Sequence, residues 1–237
     1  MRIALISSEF SGLPGSGGIG TYFLELVRCL AASGVEVEVF TVGEPGSLPP
    51  EPGVLFHHLG NLPRGHFPVH AAEALAARHR ECPFDVLESA ETNAEGALAA
   101  RAVPDVANVV RMHSPSKLLN RYLDLTPTVS QRMRRIMKDL RIALGAWRRN
   151  LPILPLQLDS DMPPWFPNHD VEERNAASEA DLVIVMSGEM RDFVKGYWWI
   201  KEEAITEVPN PLRFQISEAA ESNAGLAHAP TREAGGH

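Results

Sequence analysis

Met1-Arg2-Ile3-Ala4-Leu5-Ile6-Ser7 opens the chain, and Ser11-Gly12-Leu13-Pro14-Gly15-Ser16-Gly17-Gly18-Ile19-Gly20-Thr21-Tyr22 follows shortly after. Ile3 to Ser7 is a short continuous apolar run, the mark of a strand buried on both faces. Beyond the glycine-rich stretch, Phe23, Leu26, Val27, Leu30 and Ala31 recur at helical spacing and define an apolar stripe. Gly34 then suits a helix end, because glycine tolerates the left-handed terminal conformation. Val35, Val37 and Val39 alternate with Glu36 and Glu38, and Phe40-Thr41 completes a second strand. Strand, loop, helix and strand make a βαβ unit.

Outward from that unit the same alternation repeats. Val54 to Leu59 is expected as a strand, Ala71 to Arg80 as a helix and Phe84 to Ser89 as a strand. Ala94 to Ala102 is expected as a helix, Ala107 to Met112 as a strand, and Ser130 to Arg149 as a long helix. Leu151 to Pro167 carries five prolines and predicts an extended loop. A helix over His169–Glu179, a strand over Asp181–Met186, a helix over Glu189–Tyr197 and a strand over Ala204–Val208 complete the pattern. The expected fold class is therefore α/β: a Rossmann-like, doubly wound, mainly parallel sheet of about seven strands covered on both faces. One folded domain is expected over residues 1–215. Residues 216–237, rich in Ala, Glu, Gly and Ser, are expected as a disordered tail.

Composition narrows the function. A formal charge of -8 argues against nucleic acid as a partner, whose binding needs phosphate neutralisation. The two cysteines, Cys29 and Cys82, suggest neither a zinc site nor a disulfide framework, and fit a reducing, cytoplasmic setting. The apolar run after Met1-Arg2 is too short for a secretory signal, and no stretch is long enough to span a membrane.

Gly15-Ser16-Gly17-Gly18-Ile19-Gly20 formally fits the dinucleotide pattern G-x-G-x-x-G. Its approach from the first strand is long, however, and no acid ends the second strand, so a nicotinamide-dependent enzyme is disfavoured. A loop for phosphate or sugar at a helix N-terminus is the stronger reading, since free N–H groups and the helix dipole favour an anion there. A flexible turn without a ligand stands as the plain alternative.

The segments Met1–Phe10, Gly17–Tyr22 and Leu30–Val37 together resemble the opening of family 4 retaining glycosyltransferases of GT-B fold. Leu87–Gly96 looks like that family's fourth-strand loop, and Val109-Val110-Arg111-Met112-His113-Ser114-Pro115 like its strand ending in a histidine. Glu179–Ser187 resembles a further family strand, and Ile205–Pro211 the hinge toward a second domain. The resemblance implies the N-terminal half of a GT-B fold and a hexosyltransferase-like enzyme. Its reaction would be retaining sugar transfer from a nucleotide-sugar to an acceptor hydroxyl on a glycan or lipid. By the same likeness Gly17, Gly18 and Gly20 are donor-loop residues, and His113 is a catalytic residue placed to hydrogen-bond the transferring sugar. Glu91, Glu95 and Arg111 fall on the acceptor side. No metal and no cofactor beyond the nucleotide-sugar substrate are implied.

The family's donor-binding Glu-x7-Glu pair belongs to a second domain. Here that spacing occurs only at Glu36/Glu44 and Glu73/Glu81, both expected as solvated surface charges. The chain is accordingly expected to be a truncated or split enzyme, inactive or nearly so alone. The alternative is a non-catalytic sugar-nucleotide-binding or assembly module that pairs with a partner chain. In the Ser130–Arg149 helix, Met133, Ile136, Met137, Leu140, Leu144 and Trp147 are expected to pack on the core, with a solvated basic face outside. Peripheral contact of Arg132–Arg149 with the inner membrane face is the other reading. His57, His58, His66 and His70 are expected as surface or loop histidines. Trp198-Trp199 is open between core packing and an exposed patch.

Overall fold

The computed structural model describes residues 1–63, 65–116, 118, 129–148 and 169–210. The proline-rich stretch over 151–167, residue 149 and the tail from 211 onward lie outside the described residues.

Seven strands form one sheet: β1 (Arg2–Ile6), β2 (Glu36–Thr41), β3 (Val54–His58), β4 (Val86–Ala90), β5 (Ala107–Arg111), β6 (Leu182–Val185) and β7 (Ile205–Glu207). Their order is β3-β2-β1-β4-β5-β6-β7, and every pairing is parallel. Six described helices accompany the sheet: α1 (Gly18–Ala32), α2 (Phe67–Glu81), α3 (Ala97–Ala102), α4 (Val129–Arg148), α5 (His169–Ser178) and α6 (Gly188–Tyr197). The expected Rossmann-like α/β sheet is what forms.

Side-chain alternation along β1 explains its unbroken apolar run. Ile3 and Leu5 join Phe23 and Val27 of α1, whereas Ala4 and Ile6 join Phe67, Ala71 and Leu75 of α2 on the opposite face. Fully burying each such Leu or Phe contributes about 1.5–3 kcal/mol. The same two-residue period sorts β2: Val37 and Val39 face α1, while Phe40 packs with α2. Glu38, on the α2 side, is 4% exposed and accepts two bonds of 2.9 Å from the Arg78 guanidinium. It also pairs with His57 at 2.6 Å, and the His57 ring stacks on Phe40. So the acid inside β2 serves a structural ion pair. A third cluster, from Val110 and Met112 through Val183, Val185, Met190 and Trp198, holds α5 and α6 to the β5–β7 end.

Two boundaries depart from the sequence reading. Helix α2 begins at Phe67 rather than Ala71, because Pro68 sits in its first turn, where a missing N–H costs nothing. The single helix expected over Ala94–Ala102 is interrupted: a 3-10 turn covers Thr92–Ala94, and α3 starts only at Ala97. Asn93 and Ala94 both take positive φ, 56° and 50°, which a helix cannot continue through. Helix α4 also differs from expectation. Met133, Met137, Leu140, Leu144 and Trp147 are all exposed, Trp147 at 64%, so this stripe is not a core-packing face. Ile136 alone of that expected set is half-buried. The tandem tryptophans divide: Trp198 is buried and Trp199 is half exposed.

Candidate functional site

In an open parallel sheet the crevice lies beyond the carboxyl ends of the strands, where the strand order reverses. Here that point falls between β1 and β4, with Ser7-Ser8-Glu9 on one side and Glu91 to Glu95 on the other. The two sides are joined directly. The Glu95 carboxylate accepts the Ser8 N–H at 2.7 Å and also takes the Ser8 hydroxyl. Gly96 permits this, because a Cβ there would meet the Ser89 side chain at 2.2 Å.

The glycine loop reaches the crevice as the N-terminus of α1. Its cap residue Gly17 supplies no side-chain bond, and the first turn carries no acid. The Gly17 N–H donates to Glu9 Oε2 at 3.2 Å, so a carboxylate already sits at the positive end of the helix. Gly17 and Gly18 are exposed, and Gly18 has open space where a side chain would stand. Gly20 is different. It is buried, and a Cβ would come within 2.9 Å of the backbone at Phe10 and Ser11. Of the three expected donor-loop glycines, two face solvent and the third allows the loop to close on its own helix.

His113 sits just past the end of β5, 8% exposed. Its ring meets the Tyr22 ring edge-on, with centroids 4.6 Å apart, and so lies against the beginning of α1. Nε2 of His113 is buried and has no hydrogen-bond partner among the described residues. Burial, with the nearby Arg111 charge, lowers the His113 pKa to about 4, so the imidazole is neutral at physiological pH. A neutral ring with one unsatisfied nitrogen is equipped to hydrogen-bond a hydroxyl placed against it.

Two buried carboxylates hold the segment that carries His113. Glu91, fully buried, accepts the His113 N–H at 2.9 Å and the Ser114 N–H at 2.6 Å. Glu173 of α5 accepts the Ser116 N–H at 2.9 Å and the Ser116 hydroxyl at 2.6 Å. Burial raises Glu91 to about 7, against the pull of its backbone donors. Burial also raises Glu173 to about 8, opposed by the Ser116 hydroxyl and reinforced by the neighbouring Glu91.

Arg111 is 3% exposed and lies beneath this surface. Its guanidinium stands 4.7 Å from the Tyr22 ring centroid. One amino group donates to the Val208 carbonyl at 2.8 Å and to Asn210 Oδ1 at 2.9 Å. It thereby ties the end of β5 to the chain leaving β7. The Tyr22 hydroxyl donates to Glu88 Oε1 at 2.5 Å, and burial raises the pKa of that carboxyl. Of the residues expected on the acceptor side, Glu91, Glu95 and Arg111 all gather at this end of the sheet, each engaged with protein groups.

Tyr22, Glu88, Ser8, Glu173 and Asn210 complete the network and were not singled out by the sequence reading. An acid inside an otherwise apolar strand was the available signal for Glu88. Glu173, in an acidic and unremarkable helix, carried none. Among the described residues no group of three or more His, Cys, Asp or Glu side chains converges on a metal position.

A doubly wound parallel sheet with a polar crevice at its switch point defines the Rossmann-like class of ligand-binding α/β domains. Within that class, the chain belongs to the family described as "Glycosyl transferase 4-like domain", which it matches over residues 17–211. It is 32% identical over 193 residues to D-inositol 3-phosphate glycosyltransferase of Arthrobacter sp. (strain FB24), covering 72% of this chain and 46% of that protein. The protein of the same name from Pseudarthrobacter chlorophenolicus is 32% identical over 168 residues, 62% of this chain and 40% of its own. The chain thus spans less than half the length of these curated relatives. Solved structures share its fold. Sucrose-phosphate synthase from Thermosynechococcus elongatus superposes with a TM-score of 0.50 at 16% identity, covering 95% of this chain and 97% of that one. Os79 from O. sativa, solved in complex with UDP, gives 0.51 at 16% identity over 90% of this chain and 52% of its own.

Proposed function

We propose that this chain forms one wall of a sugar-transfer site, at which a hexose passes from a nucleotide-sugar to an acceptor hydroxyl. The observation that carries the reading is the meeting of His113 with the N-terminus of α1 at the switch point. The His113 ring, with one unsatisfied nitrogen, packs on Tyr22 in the helix turn that follows the exposed Gly17-Gly18 backbone. Family membership and the relatives named as glycosyltransferases support it.

In this reading Gly17 and Gly18 bring backbone N–H groups to the donor, with Glu9 turning aside, and Gly20 keeps the loop closed. His113 hydrogen-bonds a hydroxyl of the transferring sugar. Glu91 positions His113 through the backbone, and Glu95 holds the β1 and β4 loops together at the acceptor side. Arg111 fixes the floor. The leaving diphosphate needs compensating charge, and in such reactions that electrostatic contribution is large. Arg111, the cation placed at this end of the sheet, is committed below the surface to the Val208 carbonyl and Asn210. We therefore expect binding by the isolated chain and little or no turnover, with a second domain or partner chain supplying the opposite wall.

Calorimetric titration of the 237-residue chain with a panel of nucleotide-sugars, and separately with NAD, tests the reading. Saturable binding of a nucleotide-sugar that is lost in Gly18→Val supports it. Binding of NAD alone, or no binding of any nucleotide-sugar, overturns it. Sugar transfer or donor hydrolysis by the purified chain overturns the expectation of low turnover but keeps the site.

A further inference from the structure

Helix α4 presents an apolar face that no other described element covers. Met133, Met137, Leu140, Leu144 and Trp147 recur at alternating steps of four and three residues, which places them on one side of the helix. All five are exposed, as is Val129 at 79%. No other described element packs extensively on α4. At 20 residues the helix is about 30 Å long, so the stripe is an extended apolar band rather than a scatter of single side chains.

Charge identifies what covers the band. Arg134, Arg141 and Arg148 each follow a stripe residue by one position and lie seven residues apart, so they form a row along one edge of the apolar face. All three are exposed. Over Val129–Arg148 the sequence holds Arg132, Arg134, Arg135, Lys138, Arg141 and Arg148 against the single acid Asp139, within a chain whose formal charge is -8. The four-three spacing would also suit a helix pair between two copies. Two copies, however, would set these cationic helices against each other with only Asp139 to offset them. A neutral apolar partner would leave the arginine row without purpose. A broad anionic surface with an apolar interior satisfies both features at once, and an exposed tryptophan at the end of the stripe suits its boundary layer.

We propose that α4 is an interfacial helix that seats the protein on an anionic lipid surface, with the Met133–Trp147 stripe entering the acyl boundary and the Arg134/Arg141/Arg148 row meeting the headgroups. No helix among the described residues is long and apolar enough to cross a membrane, so the contact is peripheral. The proposal goes beyond sugar transfer and does not depend on it.

The test is flotation of the full chain with vesicles of phosphatidylcholine alone and of phosphatidylcholine doped with phosphatidylglycerol. The wild type should float with the anionic vesicles at low salt, and raising the salt should weaken that binding. Reversing the row with Arg134→Glu, Arg141→Glu and Arg148→Glu together should lower partitioning about 100-fold. Leu140→Asp should lower it as well. Both variants alter exposed positions, so an unchanged melting curve certifies the fold. The blue shift in tryptophan emission on vesicle addition should disappear in Trp147→Phe. Three outcomes overturn the proposal: no flotation with anionic vesicles, equal flotation of the charge-reversed variant, or a dimer in solution that Leu140→Asp splits without any vesicle binding.

Discussion

Glu91 holds His113 by the main chain and not by the ring: Glu91 Oε2 accepts the His113 N–H at 2.9 Å, while His113 Nε2 stays unpartnered among the described residues. The carboxylate sets where the imidazole stands and leaves the buried Nε2 to make any further bond.

That division of labour separates the two residues experimentally. His113→Leu removes a buried polar nitrogen at nearly constant volume, so thermal stability should hold or rise. Nucleotide-sugar or acceptor affinity should nevertheless fall about tenfold, or 1.4 kcal/mol. If His113 were only a packing residue, titration calorimetry would show unchanged affinity. Since its pKa is lowered to about 4, ligand binding should show no titration of His113 between pH 5 and 8.

Protons should also be visible in the stability curve. Glu91 and Glu173 have folded pKa values raised to about 7 and about 8, above their ordinary 4.5. The folded state therefore holds these protons more tightly than the unfolded state does. Their contribution is complete below about pH 4.5 and is lost as pH rises through 7 and 8. For Glu91 alone the loss is about 3 kcal/mol. His113 acts oppositely below its ordinary 6.5, because its lowered pKa costs stability as the unfolded chain protonates. The clear window is thus pH 6.5 to 8, where the urea midpoint should fall with rising pH. In Glu91→Gln that fall should be shallower, and the variant should compare better with wild type at high pH than at low.

Tyr22→Phe takes the hydroxyl donor from buried Glu88 and should cost about 1.5–3 kcal/mol in urea unfolding. In Glu88→Gln the further loss from Tyr22→Phe should be smaller, because the carboxyl acceptor has already gone. A strictly additive double-mutant cycle would show that the 2.5 Å contact carries no coupling.

The glycines should part company. Gly20→Ala drives a methyl against the Phe10 and Ser11 backbone and should cost about 1–3 kcal/mol. Gly18→Ala meets nothing within 4 Å and should gain up to about 1 kcal/mol of helix stability. If donor phosphate approaches this backbone, Gly18→Ala should weaken nucleotide-sugar binding while raising the melting temperature. A variant gaining in both would place the donor elsewhere.

Much of the sheet was legible because apolar strands and helical stripes use different periods, and each predicted strand formed. The site was legible only in part. Glycines and a histidine at strand ends announce themselves, so Gly17, Gly18 and His113 could be singled out. Glu173 is joined to Ser116 across 57 positions by folding alone, and nothing local marks it. The break before α3 was quieter still: Asn93 and Ala94 both adopt positive φ, and of the two only asparagine favours that region by itself. Helix α4 misled for a different reason. Periodicity reports that one face is apolar, but it cannot say what that face touches.

The strand order carries a last consequence, for synthesis. Once β1 to β3 are laid down, β4, β5, β6 and β7 join the opposite edge in the order in which they leave the ribosome. Each arriving strand finds its sheet neighbour already made, and none waits for a later one. A chain released stepwise can grow this sheet outward from Arg2–Ile6, with β3 as one standing edge and the newest strand as the other.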